Sequence, residues 1–186
     1  MYKTYDINGN IVSNHDLQDK GFWCQTGISK EKIFINMFGE KLGLIINPEK
    51  ATNKYAPDLF NTSKQLLADL KTQNTPFFLA NKLFNYPPQH TVVFNVKDYI
   101  RYKKSYPNIE IYFAVDWQVI KYESKDTCIE VRPMVGVWKV DFPTLEEKLK
   151  NAPIHCYSQR KNDIKGNATQ SYVLNLLNDK SFIKVI

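Results

Sequence analysis

The sequence predicts an α/β fold in one domain over residues 1–186, with a mixed central sheet flanked by helices. Three observations lead there. An amphipathic segment, "SKEKIFINMFGEKL" (29–42), precedes a series of apolar runs of β type. A second helical segment, "DYIRYKKSY" (98–106), separates those runs from another long one, which is the succession of elements an α/β sheet needs. Hydrophobic residues make up 43% of the 186 positions, with 11 Tyr, 11 Phe and 3 Trp, enough to bury a substantial core.

The elements follow in order. "MYKTYDINGNIV" is a hairpin turning at Asn8-Gly9. Ser29 caps the first helix, Ile33, Met37 and Phe38 form its apolar stripe with Ile35 and Leu42 nearby, and Gly43 ends it. "LGLII" starts a strand that stops at Asn47-Pro48, "YAPDLF" is a short extended segment, "NTSK" a turn and "QLLADLK" a strand. "TVVFNV" (91–96) is the next strand, and Pro107 closes the second helix. "IEIYFAVDWQVIKY" and "CIEVRPMVGVWKVDF" read as long strands of one hairpin around the polar turn at 124–127. "PTLEEKLK" reads as a short helix, "IHCY" as a short strand, and "NATQSYVLNLLND" as a final helix capped by Asn167.

Composition narrows the functional classes. No apolar run reaches the 18 residues of a spanning helix, and the start lacks the pattern of a secretory signal, so the expectation is a cytoplasmic protein without a membrane partner. Cys24, Cys128 and Cys156 are odd in number and widely spaced, which fits reduced thiols better than a disulfide framework or zinc site. His15, His90 and His155 have no metal or triad spacing, and Cys156 beside His155 points to the opposite face of a strand. The net charge of +6 favours a polyanionic partner, although 22 Lys against 3 Arg, with 17 Asn, is also what an AT-rich genome produces.

The chemistry concentrates in "YAPDLFNTSKQLLADLKTQ" (55–73). Asp and Lys are disfavoured in strands, yet Asp69 and Lys71 interrupt an apolar one. Alternation puts Gln65, Leu67, Asp69, Lys71 and Gln73 on one face and Leu66, Ala68 and Leu70 on the other, the expected core face. Asp58 is then expected beside Asp69 across the hairpin. Two facing carboxylates repel unless a cation lies between them or one is protonated. Oxygen ligands of this kind suit Mg²⁺, which takes one or two carboxylates and keeps waters for a phosphate. Lys71 then either stabilises the charge of the transition state or helps deprotonate the attacking water. Plain readings compete: Glu31 complements a helix dipole, Asp58 after Pro57 shapes a turn, and Lys71 guards a sheet edge. Other acid-x-Lys triplets, such as Glu123 to Lys125 and Glu146 to Lys148, fall in polar segments and carry no such meaning.

A helical Glu, then Pro-Asp, then acid-x-Lys resembles the PD-(D/E)XK nuclease superfamily, with its restriction-endonuclease-like core. The resemblance covers roughly residues 28–117, leaving 118–186 as a C-terminal hairpin and helix elaboration. It implies an α-β-β-β-α-β core, Mg²⁺ (with Mn²⁺ as a substitute), and hydrolysis of DNA phosphodiester bonds by an endonuclease of restriction, repair or junction type. By position it assigns the catalytic residues Glu31, Asp58, Asp69, Lys71 and Gln73, the metal ligands Asp58, Asp69 and Glu31, and an accessory role for Gln73. Restriction enzymes and resolvases act as dimers, so a homodimer is a further expectation, with the 109–142 hairpin as its surface. Candidate DNA contacts are Arg160, Lys161 and Lys165 ahead of the expected last helix, and Arg101, Lys103 and Lys104 interleaved with Tyr99, Tyr102 and Tyr106. The alternative class is a catalytically silent protein of the same fold that binds nucleic acid or a protein partner.

Overall fold

The first helix, α1 (Lys30–Leu42), turns its apolar side onto a sheet through Phe34, Ile35, Phe38 and Leu42. Ile33 and Met37, expected in the stripe, are instead 48% and 62% exposed, because the contact is centred one residue further round the helix. Gly39 lies so close to the next strand that a Cβ there would meet the Leu44 carbonyl at 2.9 Å. Gly43 ends the helix in the left-handed region (φ +65°), a conformation glycine adopts without steric cost. The computed structural model describes residues 2–12, 30–157, 170–177 and 179–186; the Ser29 and Asn167 caps lie outside them.

After α1 the chain runs through β3 (Leu44–Ile46), β4 (Leu59–Asn61) and β5 (Leu66–Gln73) as an antiparallel meander. The short helix α2 (Ala80–Phe84), strand β6 (Thr91–Asn95) and helix α3 (Val96–Ser105) then carry it to β7 (Glu110–Asp116), which pairs in parallel with β5. Strands β10 (Val135–Asp141) and β13 (Ile183–Lys184) complete a six-stranded mixed sheet in the order β13-β10-β7-β5-β4-β3. Thus α1, the meander, α3 and β7 follow one another as helix, three strands, helix and parallel strand, with β6 inserted before α3.

The two long strands expected over 109–142 each divide. Trp117, 1% exposed, donates its indole N–H to the Gln89 carbonyl, and Pro133 interrupts the return strand. Beyond these points β8 (Val119–Ser124) and β9 (Thr127–Glu130) join a separate four-stranded sheet with the N-terminal hairpin of β1 (Lys3–Asp6) and β2 (Ile11–Val12).

The expected last helix is wrong where it can be seen. After helix α4 (Phe142–Leu149), residues Gln170–Asn175 form β12, which lies between β11 (Ile154–Cys156) and β6 in a three-stranded sheet. "SYVLNLL" is apolar at both helical and strand spacings, and the waiting edge of β6 decides between them.

Both faces of the central sheet are covered. Ala68 and Leu70 face α1, together with Leu59 and Tyr112. Leu67 faces the larger core of Phe94, Tyr102, Ile111, Phe113, Trp138 and Phe142. Asp69 and Lys71 share the Leu67 face and lie beside Ile111 and Phe113 in register. The polar row is therefore roofed by α3 and the three-stranded sheet.

Candidate active site

The β4–β5 register pairs Leu59 with Ala68, and one further step sets Asp58 opposite Asp69. Opposed residues of antiparallel strands project to the same face. The Asp58 Oδ2 accepts from the Leu70 N–H at 3.4 Å, which fixes that carboxylate against the backbone next to Asp69. Burial, and then the Asp69 charge, push the Asp58 carboxyl above its ordinary range, with Lys50 pulling the other way. The two acids sense each other across the strands.

Asp69 is 2% exposed. Lys71 Nζ stands 2.7 Å from Asp69 Oδ2, yet off the line of a hydrogen bond, so that oxygen is charge-paired without a directed donor. The same ammonium bonds Asp98 Oδ2 at 2.6 Å and the Tyr102 hydroxyl at 3.1 Å. Burial works against the charged lysine, but Asp69 and Asp98 outweigh it and hold Lys71 above its usual range. At neutral pH it is a fixed cation.

Glu31 projects from the first turn of α1 and Asp58 precedes β4. Between them stands Lys50, from the 3₁₀ turn Pro48–Ala51. Its ammonium lies 3.1 Å from Glu31 Oε1 and is ion-paired with Asp58 Oδ1. Among the described residues no three Asp, Glu, His or Cys side chains converge closely enough to enclose a metal ion. In place of a third carboxylate the site has a lysine.

The remaining candidates divide. Gln73 spends both ends of its amide on Val93, donating to the carbonyl at 3.2 Å and accepting from the N–H at 3.3 Å, so it ties β5 to β6. Arg101 pairs with Asp98 at 3.2 Å and donates to the Tyr102 hydroxyl at 2.7 Å, which makes it part of the cluster's charge balance. Tyr102 is fully buried and has no face for a base to stack on. Lys103 pairs with Glu146 at 2.8 Å, and Lys104 is exposed. Arg160, Lys161 and Lys165 lie outside the described residues. Sequence reasoning missed Lys50 and Asp98, and it placed Tyr102 in a DNA grip, whereas Tyr102 accepts from Lys71 in the cluster. For Lys50 the available signal was Asn47-Pro48, a turn-starting pair eleven residues before Asp58.

No family model, no curated protein and no solved structure matches the chain.

Proposed function

We propose that the protein is a Mg²⁺-dependent phosphodiester hydrolase acting on DNA, built on a restriction-endonuclease-like core. The observation that carries this reading is Asp58 set opposite Asp69 with the Lys71 ammonium at its side. The chain order of α1, β3, β4, β5, α3 and β7, with β5 and β7 parallel, supports it. So does the net charge of +6.

The donor chemistry fits a hard divalent cation. Asp58 and Asp69 offer carboxylate oxygens from facing strand positions, and burial together with the Asp69 charge disfavours the ionised Asp58 carboxyl, a penalty that a cation between the two would relieve. Bound Mg²⁺ supplies Lewis-acid polarisation of a phosphoryl oxygen and a more acidic water. Lys71, held as a cation, stabilises negative charge developing on the phosphoryl group; it is not a base, because a base needs the neutral amine. Asp98 and Tyr102 keep its ammonium aimed at Asp69. Before metal binds, Lys50 links Glu31 to Asp58.

The test is plasmid nicking with Mg²⁺ by the wild type and by Asp58→Asn. Asp58 lies at the edge of the cluster, so loss of cleavage in a variant that still melts cooperatively indicts the chemistry. Cleavage that persists in Asp58→Asn refutes the mechanism. A second reading, the catalytically silent relative, draws on Lys50 and Lys71 already pairing with the carboxylates. It predicts DNA binding that falls with salt and no cleavage at any Mg²⁺ or Mn²⁺ concentration.

A further inference from the structure

We propose that Lys50 is a built-in competitor of the divalent cation: its ammonium bridges Glu31 and Asp58 in the metal-free protein and must swing out before the cation binds. The inference rests on the hydrolase reading and deepens it.

Lys50 is not a surface lysine that happens to lie nearby. Its turn is riveted to the strand that carries Asp58. Asn47, 4% exposed, caps the turn by accepting from the Glu49 N–H at 3.1 Å. It donates its side-chain amide to the Pro57 carbonyl at 3.0 Å and its backbone N–H to the Asp58 carbonyl at 3.0 Å. The backbone of Lys50 is thus held in fixed relation to Asp58, while its side chain has four rotatable bonds. The side chains of Lys50, Glu31 and Asp58 are 24%, 25% and 20% exposed, which leaves the ammonium a path to solvent. Lys71 has no such freedom beneath Asp98 and Tyr102, so of these two lysines Lys50 is the one able to leave.

The charges agree. Glu31, Asp58, Asp69 and Asp98 are four carboxylates joined by ion pairs to three cations, Lys50, Lys71 and Arg101. Exchanging the Lys50 ammonium for a divalent ion adds one positive charge to this half-buried site, whereas keeping both adds two, which is disfavoured until a phosphodiester, itself singly negative, arrives. Lys50 therefore makes metal binding weak in the free protein and stronger in the presence of substrate.

The experiment is Mn²⁺ binding to DNA-free protein, followed by calorimetry and by loss of the free Mn²⁺ EPR signal. If the ammonium occupies the site in at least nine-tenths of molecules, Lys50→Met binds Mn²⁺ about tenfold tighter than wild type or more. Lys50→Arg keeps the charge and stays near wild type. Lys50→Gln gives the same comparison where methionine disturbs the turn. A second readout is melting: Mn²⁺ raises the Tm of Lys50→Met more than that of the wild type. Equal affinity in wild type, Lys50→Met and Lys50→Gln, all abolished by Asp58→Asn, overturns the competition and leaves the metal site standing. Absence of binding in every variant overturns the competition together with the metal site.

Discussion

Replacing Lys71 by Met tests the core of the site without reference to catalysis. The substitution keeps the length and most of the volume of the side chain but deletes an ammonium held 2.7 Å from Asp69 and 2.6 Å from Asp98. The Lys71 side chain is 16% exposed and Asp69 is more deeply buried. Asp98 retains Arg101 at 3.2 Å, whereas Asp69 loses the cation beside it. Breaking a buried pair so that one charge stays uncompensated costs about 3–5 kcal/mol. At about 2–4 °C per kcal/mol for a domain of this size, Tm falls by roughly 6–20 °C. Circular dichroism melting at neutral pH reads this directly. The double variant Lys71→Met/Asp69→Asn, which removes both charges, should recover much of the loss, the coupling expected of residues in contact. A fall of only about 2 °C, the value of an exposed ion pair, refutes the buried network and with it the fixed cation assigned to Lys71.

Three further outcomes follow from the same geometry. Asp58 is held above its ordinary range by burial and by Asp69, so its ionisation costs stability once pH rises through its folded value; Asp58→Asn should stabilise the fold at pH 7 by about 0.5–2 kcal/mol, a gain that shrinks on acidification, as urea titrations at two pH values will read. Glu110 behaves oppositely: burial raises its carboxyl, but Lys64, Tyr112 and Lys139 overcome this and hold it below the usual range. Its contribution is present at neutral pH and lost as pH falls through the folded value, so Glu110→Gln should cost about 1.5–3 kcal/mol at pH 7 and progressively less toward acid in the same titration. Gln73→Leu strips Val93 of two backbone partners and should cost about 1–3 kcal/mol by denaturant melts, with kcat for plasmid cleavage unchanged.

The sequence made the hairpin facts legible because they are local. Gly43 ends α1, Asp58 falls opposite Asp69, and Lys71 shares the Asp69 face, all from alternation and turn chemistry within some thirty residues. What lay beyond it was distant. Period two says which side chains share a face but not what covers that face, so it put Asp69, Lys71 and Gln73 in one row without revealing that Phe94 and Tyr102 lie against Lys71. Asp98 reaches Lys71 from 27 residues away, on a helix whose own pattern suggested a basic grip for DNA. Gln170–Asn175 became a strand because β6 offered an edge, a partner that no local window contains.

The roof and the chemistry have one cause. Parallel pairing of β5 with β7 requires a crossover, because the chain must return to the starting end of the sheet before β7 begins. Here the crossover ends in α3, and α3 puts Asp98, Arg101 and Tyr102 over the row that carries Asp69 and Lys71. A lysine on an uncovered strand would trade its proton with water and choose partners freely. Under α3 it has two carboxylates and a phenol at fixed distances, and its charge is set by them. Lys50 stands on a turn fastened by Asn47 to the Pro57-Asp58 segment, and its side chain is 24% exposed. Of the two lysines that touch the facing aspartates, the topology thus locks one in place and only rotamers retain the other. An incoming charge at those aspartates displaces the second, and for that reason the divalent ion is expected on the Asp58 side of the cluster, with Lys71 retained beside Asp69.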